Sequence, residues 1–363
     1  MVTATRSAAH VDRVDVGAYT IPTDKPEQDG TLDWDSTTIV VVEVHAGGET
    51  GLGWTYGPSA VAALISDKLA STIEGCSAFD VQSAWASMTG ALRQAGQVGI
   101  GAMAISAVDI ALWDLKARLA GLPLCALLGR YHEGVPVYGS GGFTSYSNDE
   151  LQEQLAGWVE RGIPRVKMKV GRGGDVARVR AAREAIGYEP ELFVDANGAY
   201  TPRQAMAIAQ AFGEQGVSWF EEPVSSDDLA GLRQVRERAP GGMEVAAGEY
   251  GWDVFYFDRM IGSVDVLQAD VTRCCGITGL LRVDALCKAR CVPFSGHRAP
   301  GIHAHACAAM ETVVHLEYFH DHVRIEHALF DGALTPRDGV LYPDLERPGL
   351  GLEFKRRDTE RYA

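Results

Sequence analysis

A parallel (β/α)-barrel of the modified TIM type, carrying a separate α+β capping domain, is the fold class this 363-residue sequence predicts. Three observations predict it. Short apolar runs recur through the latter part of the chain, each finishing in a polar or charged residue. Those residues lie 20 to 28 positions apart, the length of one strand, one helix and two short loops. Ahead of the first run, the chain reads instead as a small antiparallel sheet followed by helices.

The elements follow in order. Val14 to Ile21 and Thr37 to Val44 are rich in β-branched residues and read as strands, and Gly47-Gly48 punctuates the turn into a third, Gly51 to Tyr56. Between the first two, Thr23 to Ser36 reads as an acidic loop with Pro26 and Gly30 as breakers. A helical region spans Ser59 to Leu128. Its clearest piece, Ala102 to Ala120, is apolar on most faces and is expected to be buried between domains. A strand near Val135 to Gly141 opens the barrel. It is followed by Arg165–Val170, Leu192–Asn197, Ser218–Glu222, Val245–Glu249, Val264–Asp270, Val292–His297 and Val313–Glu317, eight in all. From Lys169 the steps are 26 to Asp195, 26 to Glu221, 28 to Glu249, 21 to Asp270, 27 to His297 and 20 to Glu317. The helices between them differ too much for a solenoid. Phe330 to Tyr362, rich in Gly and Pro, is expected to run back across the first domain. The predicted division is a capping domain over 1–130, a barrel over 131–329 and a returning tail over 330–363.

Composition narrows the function. Hydrophobic residues make up 46% and charged residues 22%, enough for a sizeable core. A net charge of −15 disfavours nucleic acid and anionic membrane as partners. No run of 18 or more apolar residues suggests a membrane span, and Met1 to His10 lacks the apolar core of a secretory leader. Seven cysteines, odd in number and clustered late, suggest buried reduced thiols and a cytoplasmic setting.

In a barrel of this kind, function sits at the C-terminal ends of the strands. Asp195, Glu221 and Glu249 end three successive runs. Brought together they would repel one another unless a cation neutralised them, and oxygen-only ligands select a hard ion such as Mg²⁺ or Mn²⁺. Helix capping would explain one such carboxylate but not three at repeated spacing. Lys167 and Lys169, two apart on one strand, point to the same face. Mutual repulsion and burial are expected to lower one lysine's pKa and make it a base. Asp270 and His297 end neighbouring strands, about 4.8 Å apart in a sheet, so the carboxylate can fix the imidazole's tautomer. Glu317 is placed to hydrogen-bond a developing enolate, a role that needs it protonated. His303 and His305 face different ways on a helix, which argues against zinc. Two glycine clusters, at Gly139 and Gly171, lack any nucleotide-loop pattern.

The set Lys167-Met168-Lys169, Val194-Asp195-Ala196-Asn197, Trp219-Phe220-Glu221-Glu222-Pro223, Gly248-Glu249, Gln268-Ala269-Asp270, Gly296-His297 and Leu316-Glu317 resembles the enolase superfamily, mandelate racemase subgroup. The resemblance extends to Ser106 through Asp114 in the capping domain. It implies one Mg²⁺ per subunit on Asp195, Glu221 and Glu249. Lys169 is implied as one acid/base, and His297 with Asp270 as the other. Lys167 and Glu317 are implied at the substrate carboxylate or its enolate, and relatives of this kind are commonly homo-oligomers. Asn197, Trp34, Trp54 and Tyr56 are the candidate substrate contacts. The expected substrate is a small carboxylate. The polar character of Thr23 to Ser36 favours a hydroxyl-rich sugar acid and dehydration to a 2-keto-3-deoxy acid. Racemisation or epimerisation of a 2-hydroxy acid is the alternative, and a non-catalytic acid-binding relative a minor one.

Overall fold

A computed structural model describes residues 9–362 of the chain. Most of Met1 to His10 therefore lies outside the described residues. Three long antiparallel strands come first: β1 (Arg13–Gln28), β2 (Asp33–Ala46) and β3 (Glu49–Tyr56). The expected acidic loop is largely strand. β1 runs on to Gln28 past an irregularity between Pro22 and Glu27, and Glu27 pairs with Trp34. Only the turn Asp29–Leu32 is left, closed by Asp29 Oδ1 accepting the Thr31 and Leu32 N–H groups at 2.7 Å each. Partner strands stabilised these residues where local composition suggested a loop.

The helix Ile100–Ala120 packs across β3 and is buried on nearly every face. Glycine makes this approach possible: a Cβ at Gly53 would stand 2.2 Å from the Ala107 carbonyl oxygen. The same helix docks on the barrel. Asp109 accepts from the Thr278 N–H and hydroxyl, and Trp113 Nε1 donates to Thr278 Oγ1 at 2.9 Å. Burial pushes the Asp109 carboxyl up to about 7. The remaining capping helices are short, with one π-helical turn at Ile65–Leu69.

Eight parallel strands then close a barrel: β4 (Val135–Gly141), β5 (Arg165–Lys169), β6 (Glu191–Asp195), β7 (Val217–Glu221), β8 (Glu244–Ala247), β9 (Val266–Ala269), β10 (Phe294–Gly296) and β11 (Val313–Phe319). β11 pairs with β4 to complete the circle. The lower interior is filled by Tyr138, Phe193, Trp219, Ala246 and Val266, with Phe193 and Trp219 stacked at 5.2 Å. This apolar layer forms the floor of the upper end and separates it from Arg165, Glu191 and Glu244 at the bottom of the barrel. Beyond the barrel, Val340–Leu341 adds antiparallel to β4. The last segment touches the capping elements: the Leu350 N–H donates to Asp114 at 2.6 Å, Phe354 meets Tyr19, and Arg356 pairs with Glu43. No helix among the described residues is long and apolar enough to cross a membrane. The cysteines are all free and mostly buried; Cys291 is exposed.

Candidate active site at the barrel mouth

The upper barrel end gathers residues from all eight strands or the turns just beyond them. On β5, Lys167 and Lys169 share the inward face because strand side chains alternate. Lys167 Nζ lies 2.6 Å from Glu221 Oε1, 2.7 Å from Glu317 Oε1 and 3.5 Å from Asp195. Lys169 Nζ donates to Asp195 Oδ2 at 2.5 Å and to Asn197 Oδ1 at 3.1 Å. Burial works against charge on both lysines, but the carboxylates around them outweigh it and raise both. The expectation of a depressed lysine therefore fails in this state. Repulsion between the two ammonium groups is smaller than the attraction of several acids at contact distance.

Asp195, Glu221 and Glu249 are buried, and each offers an oxygen within 4.8 Å of the others. Neither Glu249 oxygen accepts a hydrogen bond. Gly248 allows that turn; a Cβ there would fall 2.0 Å from the Gln268 carbonyl oxygen. Three buried carboxylates with unused lone pairs and no sulfur fit a hard divalent cation such as Mg²⁺. Burial, ahead of the opposing Lys167 charge, pushes Glu221 up to about 7.

Opposite β5, three strands away by the shorter path, stands His297. Its Nδ1 lies 2.9 Å from Asp270 Oδ2, and Thr272 holds the other Asp270 oxygen through its N–H and hydroxyl at 2.7 Å each. Burial would raise Asp270; the hydrogen bond and charge of His297, with Arg273, outweigh it and hold the carboxyl low. Burial also opposes an imidazolium at His297, yet Glu249, Glu317 and Asp270 together raise it. His297 Nε2 approaches Glu249 at 3.1 Å but is not aligned for a hydrogen bond, so it is buried without a hydrogen-bond partner.

Glu317 accepts from Ser140 Oγ at 2.6 Å and from the Arg298 N–H at 3.2 Å. Burial pulls it up, but Lys167, His297 and Lys169 hold it below its ordinary range. This corrects the expected protonated acid: Glu317 is an ionised partner of Lys167.

The candidate substrate contacts separate. Trp34 and Tyr56 line a cleft of about 370 Å³ that reaches down to Glu249. Trp34 Nε1 donates to Glu27 at 2.8 Å, and Tyr56 stacks on His322 at 3.4 Å. Asn197, at φ 45°, faces Lys169. Trp54 is not a cleft residue. It is fully buried and packs on Phe330 at 4.5 Å, because its position on β3 faces the returning tail. The β1–β2 turn leans over the mouth, so close that a Cβ on Gly30 would sit 2.2 Å from the Ala196 carbonyl oxygen.

Sequence reasoning missed three participants. Glu222 is buried with Oε1 unbonded, and burial, then Glu249, raise it well above the ordinary range; its adjacency to Glu221 was the available signal. Arg273 and Arg298 line the cleft. Nothing in local composition marks Arg273, while Arg298 directly follows the strand-end histidine.

Residues 18–129 match the family described as mandelate racemase / muconate lactonizing enzyme, N-terminal domain. Residues 150–359, more than half of the chain, match the enolase C-terminal domain-like family. The chain belongs to the enolase superfamily, mandelate racemase subgroup. Within this superfamily, a mandelate racemase/muconate lactonizing enzyme-like protein from Rubrobacter xylanophilus is 60% identical, with a TM-score of 0.96 over 98% of this chain and 99% of that one. A 3,6-anhydro-alpha-L-galactonate cycloisomerase from Streptomyces coelicolor is 35% identical over 95% of this chain and 98% of its own length. The L-talarate/galactarate dehydratase of Salmonella typhimurium, solved with Mg and L-lyxarohydroxamate, is 28% identical with a TM-score of 0.89, over 100% of this chain and 95% of that one. The superfamily relatives are dehydratases, cycloisomerases and epimerases, and this chain is an enzyme of that kind.

Proposed function

We propose that this enzyme dehydrates a sugar acid, removing the proton beside its carboxylate and the oxygen on the next carbon to give a 2-keto-3-deoxy acid. The observation that carries this reading is His297, buried on the side of the barrel mouth opposite Lys169, with Nδ1 fixed on Asp270 at 2.9 Å, Nε2 without a hydrogen-bond partner, and carboxylates nearby that favour its protonated form. An imidazolium there is an acid ready for a departing hydroxyl.

Asp195, Glu221 and Glu249 would hold the magnesium ion, which when bound would supply positive charge for the substrate carboxylate. Lys167, fixed by Glu221 and Glu317, contributes a further cation at the same carboxylate. Lys169, once its amine is neutral, accepts the proton from C2. The electron pair left behind forms the C2–C3 double bond as the C3–O bond breaks, and His297 protonates the departing oxygen, which leaves as water. Asp270 holds the imidazole in the tautomer with Nε2 toward the substrate. The resulting enol takes a proton at C3 and becomes the keto acid.

A second reading uses the same proton transfers. If the oxygen on C3 closes a ring within the substrate, its departure opens the ring without releasing water. The likeness to a cycloisomerase over nearly the full length of both chains favours testing it.

Purified enzyme with Mg²⁺ in D₂O distinguishes the outcomes. Elimination gives a semicarbazide-reactive keto acid with deuterium at C3, from an open-chain acid for dehydration and from an anhydro or lactone form for ring opening. Exchange and inversion at C2 with no keto acid would replace both with epimerisation.

A further inference from the structure

We infer that the cleft contains a subsite for a second anionic group, built on Arg298, and that the substrate is a dicarboxylate with a carboxylate at each end of a hydroxylated chain. This rests on the sugar-acid reading above and specifies its substrate class.

Arginines in the interior of this protein are generally committed. Arg183 donates to the carbonyls of Gln215, Gly187, Pro190 and Gly216. Arg178 donates to two carbonyls, and Arg118 pairs with Asp114 and Glu353. Arg298 differs. Among the described residues its guanidinium has no carboxylate within 4.0 Å and makes no side-chain hydrogen bond, although its Nε is buried. The group lies over the Phe319 ring, 4.4 Å from its centroid, and lines the cleft. A planar fork of donors held this way matches a carboxylate in two-point contact.

The backbone is bent to place it. Arg298 and Ala299 have φ of 55° and 42°, two successive non-glycine residues in the left-handed region. The bend is held by the Arg298 N–H on Glu317, by His303 Nδ1 at 2.7 Å from the Arg298 carbonyl, and by Pro300 opening the next helix. Such strain persists where surrounding structure enforces it, most often at functional sites. Here it turns the side chain after His297 up the wall of the cleft.

Charge in the cleft is compatible with a second carboxylate. The reacting carboxylate belongs at the floor, with Lys167 and the three metal-site acids. Higher up, Asp29 Oδ1 already accepts the turn N–H groups and Asp33 pairs with Arg172 at 3.1 Å, so each has a partner of its own. Arg273 lines the same wall, but its guanidinium already lies 3.5 Å from Glu249 Oε1 and 3.8 Å from Asp270 Oδ2, with the Tyr250 ring at 5.1 Å, so the subsite rests on Arg298. Ser36, Thr37 and Thr38 border the cleft with hydroxyls. A volume of about 370 Å³ suits a six-carbon chain.

The experiment compares six-carbon aldarates with aldonates of the same configuration, and with aldonates phosphorylated at C6. Turnover by the Mg²⁺-loaded enzyme is measured alongside calorimetric binding to a Lys169→Met variant, which reports recognition without chemistry. The parent should favour the dicarboxylate in kcat/KM by about 100-fold, and the inactive variant should show the same order of binding. Arg298→Met should reduce the dicarboxylate-to-monocarboxylate ratio at least 30-fold, and Arg298→Lys should restore part of it. Equal parent affinity for both classes, binding of neither, or an unchanged ratio in a folded, Mg²⁺-binding Arg298→Met would overturn the inference. A preference for the phosphorylated acid would overturn the carboxylate assignment. Tight dicarboxylate binding without any keto acid would instead sink the dehydration reading and leave the subsite standing.

Discussion

Glu326 offers a test that needs no substrate. It is buried on the helix after β11; one carboxylate oxygen accepts the Gly301 N–H at 2.9 Å and the other has no partner. It thereby anchors the start of the helix that follows His297 and Arg298. Burial pushes its carboxyl up to about 8 from an ordinary value of 4.5. Below pH 4.5 the folded and unfolded chains both carry the proton, and the residue adds no pH dependence. Between 4.5 and 8 the unfolded chain releases it while the folded chain keeps it, so stability falls as pH rises. Above 8 the folded state holds a buried charge and the loss is complete. At about 1.36 kcal/mol per unit, the loss between about pH 5 and about pH 7.5 is roughly 3 kcal/mol. Glu326→Gln keeps an acceptor for Gly301 and removes the titration. Urea unfolding of both proteins at the two pH values should show the variant gaining about 3 kcal/mol on the parent at the higher pH. A difference between the proteins that stays constant across this window would refute the buried, proton-retaining carboxyl.

Three further outcomes are expected. Asp195→Asn and Glu249→Gln should each weaken Mg²⁺ binding by at least tenfold in calorimetry; parent-like affinity in both would remove them from the ligand set. Lys169→Met and His297→Asn should abolish turnover with circular dichroism unchanged, and Asp270→Asn should lower kcat by a factor of about 10² to 10⁴ by favouring the wrong tautomer; an Asp270→Asn enzyme as fast as the parent would leave His297 without its orienting partner. Gly30→Ala puts a methyl 2.2 Å from the Ala196 carbonyl oxygen and 2.8 Å from that of Val170. Displacing the turn over the mouth should raise KM more than it lowers kcat, at an overpacking cost of about 1–3 kcal/mol; unchanged kinetics would show that the turn does not close on substrate.

Sequence alone determined the barrel, because a strand, a helix and two loops impose a spacing that survives any change of surface residues. It also determined which carboxylates, lysines and histidine share the mouth, since strand ends in a closed parallel sheet converge whatever the helices outside them do. Its errors came where a side chain's surroundings are set by distant chain. Thr23 to Ser36 has the composition of a loop but became strand through pairing between β1 and β2. Trp54 looked like a ring for a substrate but faces Phe330, a contact made only when the tail returns. The protonation of Lys167, Lys169 and Glu317 followed from contacts among β4, β5, β6, β7 and β11, which no local pattern reveals. Arg298 shows the division most clearly. Its place beside His297 is written in the sequence, but its lack of a partner is a property of the folded cleft, because only packing decides which buried charges find a mate.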